Sequence, residues 1–271
     1  MKRALIIDSG VGGLSVASAV RTTLPELAIA YVADNAWFPY GKRSEAELTD
    51  RLVFLVERSL SFVPCDAVVV ACNTASTVVL DALRARFDMP IVGVVPPIKT
   101  AGEVSRSRVV GLLATEATVT RPYVQRLKEQ FAADCKIIPL GLPRLAEIAE
   151  EKLRGIPVNR EELRELLRPL FGPGAPQVDT VVLGCTHYPL LLEDFKAISP
   201  PGVHWLDSSP AIARRLAQVL SEVPPRNDGP LEDAVYFTAP VEGAEALTAY
   251  LATLRLPAPQ LWPGNAELVA R

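Results

Sequence analysis

Two cysteines in this chain stand where a thiol could do chemistry. Cys72 closes the run Ala67-Val68-Val69-Val70-Ala71 and is followed by Asn73-Thr74; Cys185 closes Thr180-Val181-Val182-Leu183-Gly184 and is followed by Thr186-His187-Tyr188-Pro189. The two lie 113 positions apart, and each run begins just after an aspartate, Asp66 or Asp179. A free thiol with a pKa of about 8.5 is only about 3% ionised at pH 7, so a thiol acting as base or nucleophile needs polar help. His187, two residues past Cys185, is one source of it. Asp8, which ends an earlier apolar run, is another if adjacent strands bring its end beside Cys72. A single cysteine so placed would read as an inert core thiol; two at matching positions, each with polar followers, favour function.

Two chemistries suit such a pair. The thiols could make and break a disulfide, but redox dithiols lie close in sequence, as in C-x-x-C, and these do not. Alternatively each carries a proton separately: one thiolate removes a proton from one face of a carbon while the opposite thiol delivers one to the other, inverting the centre. That scheme requires each group within about 3 Å of the proton it moves, and so a cleft between two facing sulfurs.

Strands whose carboxyl ends converge would supply the cleft, since open α/β sheets carry their ligands there. Short Val/Leu-rich runs read as buried strands and the polar residues after them as helix starts, whose N-terminal field favours a thiolate. A second pair of runs falls near the same offset: residues 4–7 end in Asp8-Ser9, and residues 109–113 end in Ala114-Thr115. Two matched pairs predict an α/β fold of two similar open-sheet domains related by pseudo-two-fold symmetry, with the site between them. Pro96-Pro97 mark the crossing between units. The terminal part lacks the cysteine pattern and is expected to return to the first unit. The expected division is residues 1–97 with 208–271, and residues 98–207.

Ser9-Gly10-Val11-Gly12-Gly13 is a glycine-rich turn into a helix over residues 14–22. It falls short of a dinucleotide fingerprint, because Ser15 stands where the last glycine belongs and Asp8 would repel a pyrophosphate. Gly12 and Gly13 read as a tight turn, and Asp8 and Ser9 suit a ligand carrying an amine. Residues 34–43, with Trp37, Phe38, Pro39, Tyr40 and Gly41, form a structured loop, either cover for a core edge or the wall of a site. Ser44 and Glu47 make a capping-box pattern opening a helix to about Phe62. Further helices are expected over residues 74–86, from the turn 114–118 to about 133, and over 143–153, 160–167 and 244–254. Ser209-Pro210 reads as a helix start with Ser209 as its cap. Residues 224–233 read as loop, and the tail from Pro257 carries little signal.

At 271 residues, 49% apolar, the chain can bury the cores of two domains. A net charge of −3 without a Lys/Arg cluster argues against a nucleic-acid surface. Asp8 stops the first apolar run too early for a signal peptide, and no run approaches membrane-spanning length, so a soluble cytoplasmic enzyme with four free thiols is expected. Cys65 and Cys135 read as small core residues. A metal site is not expected: there is no C-x-x-C, and of two histidines only His187 lies beside a cysteine.

The motifs Asp8-Ser9-Gly10-Val11-Gly12-Gly13, Pro39-Tyr40-Gly41, Ala71-Cys72-Asn73-Thr74-Ala75-Ser76, Ala114-Thr115-Glu116-Ala117-Thr118, Leu183-Gly184-Cys185-Thr186-His187-Tyr188-Pro189 and Tyr236-Phe237-Thr238 span nearly the whole chain and together resemble the glutamate racemases. The resemblance implies interconversion of L- and D-glutamate without pyridoxal phosphate, metal or other cofactor, supplying D-glutamate for peptidoglycan. It implies that Cys72 takes the proton of the D-enantiomer with support from Asp8, and Cys185 that of the L-enantiomer with support from Glu147 and His187. The family's substrate contacts carry over to Asp8, Ser9, Tyr40, Gly41, Asn73, Thr74, Thr115, Thr118, Thr186 and His187. These are mostly hydroxyls, amides and helix-start N–H groups, which suit the carboxylates of a small diacid. For Thr74 and Thr186 the plain alternative is helix capping, and for Glu147 a solvated helix face. The resemblance implies no membrane or nucleic-acid partner and allows a homodimer. Two rivals remain: a relative acting on aspartate or another small acid, and a non-catalytic amino-acid-binding protein using the same cleft.

Overall fold

A computed structural model describes residues 1–224 and 230–264. The loop expected over 224–233 and the tail beyond Pro257 therefore lie partly outside the described residues. In chain order the elements are β1 (Arg3–Asp8), α1 (Leu14–Thr23), β2 (Ala28–Ala33), α2 (Glu45–Phe62), β3 (Ala67–Val70), α3 (Asn73–Arg86), β4 (Ile91–Gly93), α4 (Ile98–Val104), β5 (Val109–Ala114), α5 (Glu116–Val119), α6 (Pro122–Phe131), β6 (Lys136–Gly141) and α7 (Pro143–Leu153). There follow α8 (Arg160–Leu166), α9 (Arg168–Phe171), β7 (Thr180–Leu183), α10 (Leu192–Ile198), β8 (His204–Leu206), α11 (Ser209–Ser221), β9 (Ala234–Phe237), α12 (Ala244–Thr253) and β10 (Gln260–Leu261).

The strands form two sheets with every pairing parallel, in the orders β10-β9-β2-β1-β3-β4 and β6-β5-β7-β8. The central order β2-β1-β3-β4 of the first repeats as β6-β5-β7-β8 in the second. Strands covered by helices on both faces bury nearly every side chain, which is why β1, β2, β3 and β7 read as unbroken apolar runs.

Register carries the repeat to atomic detail. Ile7 pairs with Val70 and Leu113 with Leu183, and Ala71 and Gly184 donate their amides to the carbonyls of Ile7 (2.8 Å) and Leu113 (2.7 Å). Cys72 thus stands to Asp8 as Cys185 stands to Ala114. The second half has no carboxylate at the position of Asp8.

β9 adds to the first sheet beside β2, and α11 sends Ile212, Ala213 and Leu216 into the core formed by β1, β2 and α1. α2 is fixed at its start by the reciprocal Ser44–Glu47 capping box and buries Leu48, Arg51, Leu52, Leu55, Val56 and Ser59, a stripe at helical spacing. Three expectations need correcting. The helix expected from 118 to 133 is broken: α5 stops at Val119, and α6 begins at Pro122, whose ring cannot continue the turn before it. At α11 the cap position belongs to Ser208, and Ser209 is already helical, its amide and hydroxyl both held by Asp207 at 2.9 Å. The tail is not featureless: β10 extends the first sheet, and Trp262, 1% exposed, donates to Ser59 Oγ at 3.1 Å. Cys65 and Cys135 lie in the core, none of the four cysteines is in a disulfide, and among the described residues no helix is long and apolar enough to cross a membrane.

Candidate active site

The carboxyl ends of β1, β3, β5 and β7 converge on a small cavity lined by Cys72 and Cys185 together with Ser9, residues 38–41, Asn73, Thr74, Thr115, Ala146, Thr186 and His187. Each cysteine is 7% exposed, so both residues are largely shielded from bulk water while lining one space. Residues distant in sequence meet here because parallel β-α units place every strand's carboxyl end, and the loop after it, on one edge.

Cys72 occupies the N-cap position of α3. Burial, and then the charge of Asp8, push its thiol well above the usual range; the amides of Ala75 and Thr74 in the first turn pull it part of the way back. Asp8, 1% exposed, accepts from the Ser9 amide at 2.7 Å and from the Thr186 hydroxyl at 3.3 Å. Burial raises its carboxyl from the ordinary 3.8 to about 6, against the lowering pull of His187 and the Ser9 amide.

On the other side, Cys185 Sγ lies 3.8 Å from His187 Nδ1, and His187 Nε2 lies 2.8 Å from Glu150 Oε1. Burial opposes a charged imidazole, but the bonds to Cys185 and Glu150 outweigh it and hold His187 well above its usual range. The carboxylate behind His187 is therefore that of Glu150, which replaces the expected Glu147. Glu147 faces Arg144 at 3.5 Å on the polar side of α7, with Arg144 also bonded to Glu151 and Glu162. The helical period separates the two: Glu150 is four residues past the cavity-lining Ala146, while Glu147 is three past Arg144. That spacing was available in the sequence. What it lacked was the glycine turn, which brings the Val11 amide to Glu150 Oε1 at 2.7 Å and fixes which face of α7 meets the site.

The tight turn expected at Gly12 and Gly13 is present, with the Leu14 and Ser15 amides on the carbonyls of Val11 and Gly12 at 3.0 Å each; since none of Gly10, Gly12 and Gly13 has a positive φ, what requires glycine is close approach. A Cβ on Gly12 would stand 2.2 Å from His187 Nδ1, and one on Gly10 would stand 2.0 Å from Glu150 Oε1. The turn is a bed for the His187–Glu150 pair.

Neither Thr74 nor Thr186 caps a helix. The Thr74 hydroxyl, at the start of α3, meets the hydroxyls of Thr115 and Thr118 at 3.2 and 3.4 Å, and those two are 3.0 Å apart. This hydroxyl cluster joins elements of the two sheets beside Cys72. Asn73 is 3% exposed, yet neither its Nδ2 nor its Oδ1 has a hydrogen-bond partner. A buried amide with donor and acceptor both unmet stands out, because buried polar side-chain atoms are as a rule hydrogen-bonded. Tyr40 contributes its ring and backbone, because its hydroxyl donates to Asp34 at 2.9 Å, and Gly41 lines the wall beside it. Among the described residues no group of three His, Cys, Asp or Glu side chains could hold a metal ion.

A family model described as Asp/Glu/Hydantoin racemase matches residues 14–216, most of the chain and both cysteine motifs. The chain belongs to this racemase family. Among its relatives, glutamate racemase of Erwinia tasmaniensis is 50% identical to this racemase over 221 residues, 82% of this chain and 78% of that protein. Glutamate racemase of Salmonella typhimurium is 47% identical over 247 residues, 91% of this chain and 87% of that one. Among solved structures, Escherichia coli glutamate racemase in complex with L-glutamate and the activator UDP-MurNAc-Ala superposes with a TM-score of 0.89 at 44% identity, covering 95% of this racemase and 96% of that chain. The Aquifex pyrophilus glutamate racemase gives 0.69 at 31% identity, with 96% and 97% covered.

Proposed function

We propose that this chain is a cytoplasmic, cofactor-independent glutamate racemase that works with two thiols, in the cleft between residues 98–207 and the rest of the chain, and supplies D-glutamate for peptidoglycan. The observation that carries the reading is that Cys72 and Cys185, at equivalent ends of β3 and β7, line one cavity together with the unsatisfied Asn73 amide, Ser9, Thr74, Thr115 and Thr186. The relatives' names supply the substrate.

Glutamate brings two carboxylates and an ammonium. The Asn73 amide, the hydroxyls of Thr74, Thr115 and Thr118 and the first turn of α3 suit the carboxylates; Ser9 and Asp8 suit the ammonium. With the α-carbon between the sulfurs, Cys185 as thiolate takes the α-proton of L-glutamate and Cys72 as thiol protonates the opposite face; D-glutamate runs the reverse. The raised Cys72 thiol makes a strong base once ionised. His187, held by Glu150, stands where it can exchange a proton with Cys185.

Racemisation of each enantiomer in D₂O, with Cys72→Ser and Cys185→Ser beside the unaltered protein and aspartate as a rival substrate, tests the reading. Expected are α-deuteration and inversion of glutamate by the unaltered protein, and a loss of kcat/KM of about 10²- to 10⁴-fold in each variant. Preference for aspartate would reassign the substrate. Unchanged rates in either variant would overturn the two-thiol scheme.

A further inference from the structure

Four residues of the substrate cavity, Phe38, Pro39, Tyr40 and Gly41, come from one loop, residues 34–43, built of two short 3-10 turns, Asn35–Trp37 and Tyr40–Lys42, joined by extended backbone. A side chain outside the cavity ties the two turns together. Arg51, on the buried face of α2 and 8% exposed, grips the fully buried Asp34 as a fork: Nε to Oδ2 at 2.9 Å and Nη2 to Oδ1 at 2.5 Å. The same two oxygens take the Tyr40 hydroxyl (2.9 Å) and the Thr238 hydroxyl (2.8 Å). The Arg51 guanidinium also lies over the Trp37 ring, 4.9 Å from its centroid, with Arg43 over the same ring at 4.8 Å. Further along the loop, Phe38 packs on His187 with ring centroids 5.4 Å apart.

We propose that Arg51 is a positioning residue for racemisation: forked onto Asp34 and stacked on Trp37, it fixes the loop whose Phe38, Pro39, Tyr40 and Gly41 wall the substrate cavity. This rests on the racemase reading and adds to it a residue that touches neither substrate nor thiol. The physical case is that, beside the Asn35–Ala239 pair and the Asp34 amide on the Asp8 carbonyl, the side-chain bonds that fix Tyr40 and Thr238 to this loop meet at one carboxylate. The Asp34 carboxylate ties Tyr40 and Thr238 together only while its charge is met, and the Arg51 fork meets both oxygens at once. A lysine, with a single ammonium and no planar face, could neither span both oxygens nor stack on Trp37.

Because the loop surrounds substrate and moves no proton, its release acts on binding more than on the chemical step. Arg51→Lys is expected to raise KM for both glutamate enantiomers about tenfold or more, with a smaller fall in kcat, the scale expected from misplacing a wall by about 1 Å. Arg51→Ala would leave Asp34 unmatched and could fail to fold, so the deciding variant is Asp34→Asn with Arg51→Met, which removes both charges. It should fold and keep the raised KM, because stability returns without the fork. In Arg51→Lys, where the protein is folded, the unchanged substrate deuterium isotope effect should show that the chemical step is intact. A double variant with unaltered KM would overturn the proposal, as would a variant whose loss lies in kcat alone. Failure of the unaltered protein to racemise glutamate would instead defeat the underlying reading, so the two failures are told apart in one set of assays.

Discussion

His187 Nε2 and Glu150 Oε1 stand 2.8 Å apart, and the same carboxylate oxygen takes the amide of Val11 at 2.7 Å. One oxygen thus joins α7, the loop after β7 and the glycine turn after β1. It serves the half of the site whose central strand ends in Ala114 where the other half has Asp8. The matched halves give the two thiols equivalent positions but different sources of charge.

Glu150→Gln keeps the shape of this junction and removes its charge. We expect kcat/KM to fall about 10- to 100-fold, since Glu150 acts on Cys185 only through His187, while Glu147→Gln stays within about twofold. The His187 titration, followed by NMR, should move down towards its usual range, because one of the bonds that raise it is gone. Equal losses in the two variants would contradict the assignment.

Assignment of each thiol to a face of the substrate can be read from isotope effects. L- and D-glutamate have equal free energies, so any variant must lose kcat/KM equally in both directions. In Cys185→Ser, however, breaking the Cα–H bond of L-glutamate becomes limiting, and a large effect of α-deuteration is expected with L- but not with D-glutamate. Cys72→Ser should show the reverse pattern, and the same pattern in both variants would refute the assignment.

Asp8 is expected to cost the fold stability where it is ionised. Its folded carboxyl titrates at about 6 against 3.8 for the ordinary group. Between those values the folded chain keeps a proton that the unfolded chain has lost, so stability falls as pH rises through this window and the cost is complete above it, at most about 3 kcal/mol. Asp8→Asn keeps one acceptor oxygen and should therefore raise the unfolding free energy by about 1–3 kcal/mol at pH 8, with the gain fading through pH 6 and absent below about pH 4. Urea titrations at three pH values measure this. The unaltered protein is expected to lose kcat/KM as pH falls below about 6, and Asp8→Asn to show low activity without that fall.

A methyl group at Gly12 has nowhere to go but the imidazole of His187. Gly12→Ala is expected to destabilise the fold by about 1–3 kcal/mol and to lower kcat/KM by displacing the ring from Cys185. In a His187→Ala background the added cost should largely vanish, giving a coupling of about 1–2 kcal/mol in a double-mutant cycle. Additive effects would show that the glycine is needed for the turn and not for the ring.

The sequence by itself determined the parallel architecture and the pairing of the thiols. Fully buried strands leave unbroken apolar runs, and the polar residues that stop them at Asp8, Cys72 and Cys185 also mark the edge where the site lies. Capping at Ser44 and Glu47 was legible because it involves neighbours only. What tertiary structure decided was which faces meet across the cleft. Glu147 and Glu150 are one turn apart on the same helix, and only the packing of α7 against the glycine turn selects the second. Asp34 and Arg51 carry no motif, and the motif that ends in Thr238 gave it no partner, since the meeting of the three depends on β2, α2 and β9 lying side by side. The buried seat of Trp262 depends likewise on a strand added at the sheet's far edge. Local patterns record what each residue does to its own segment, whereas charge pairing and close approach between distant segments exist only once the chain has packed.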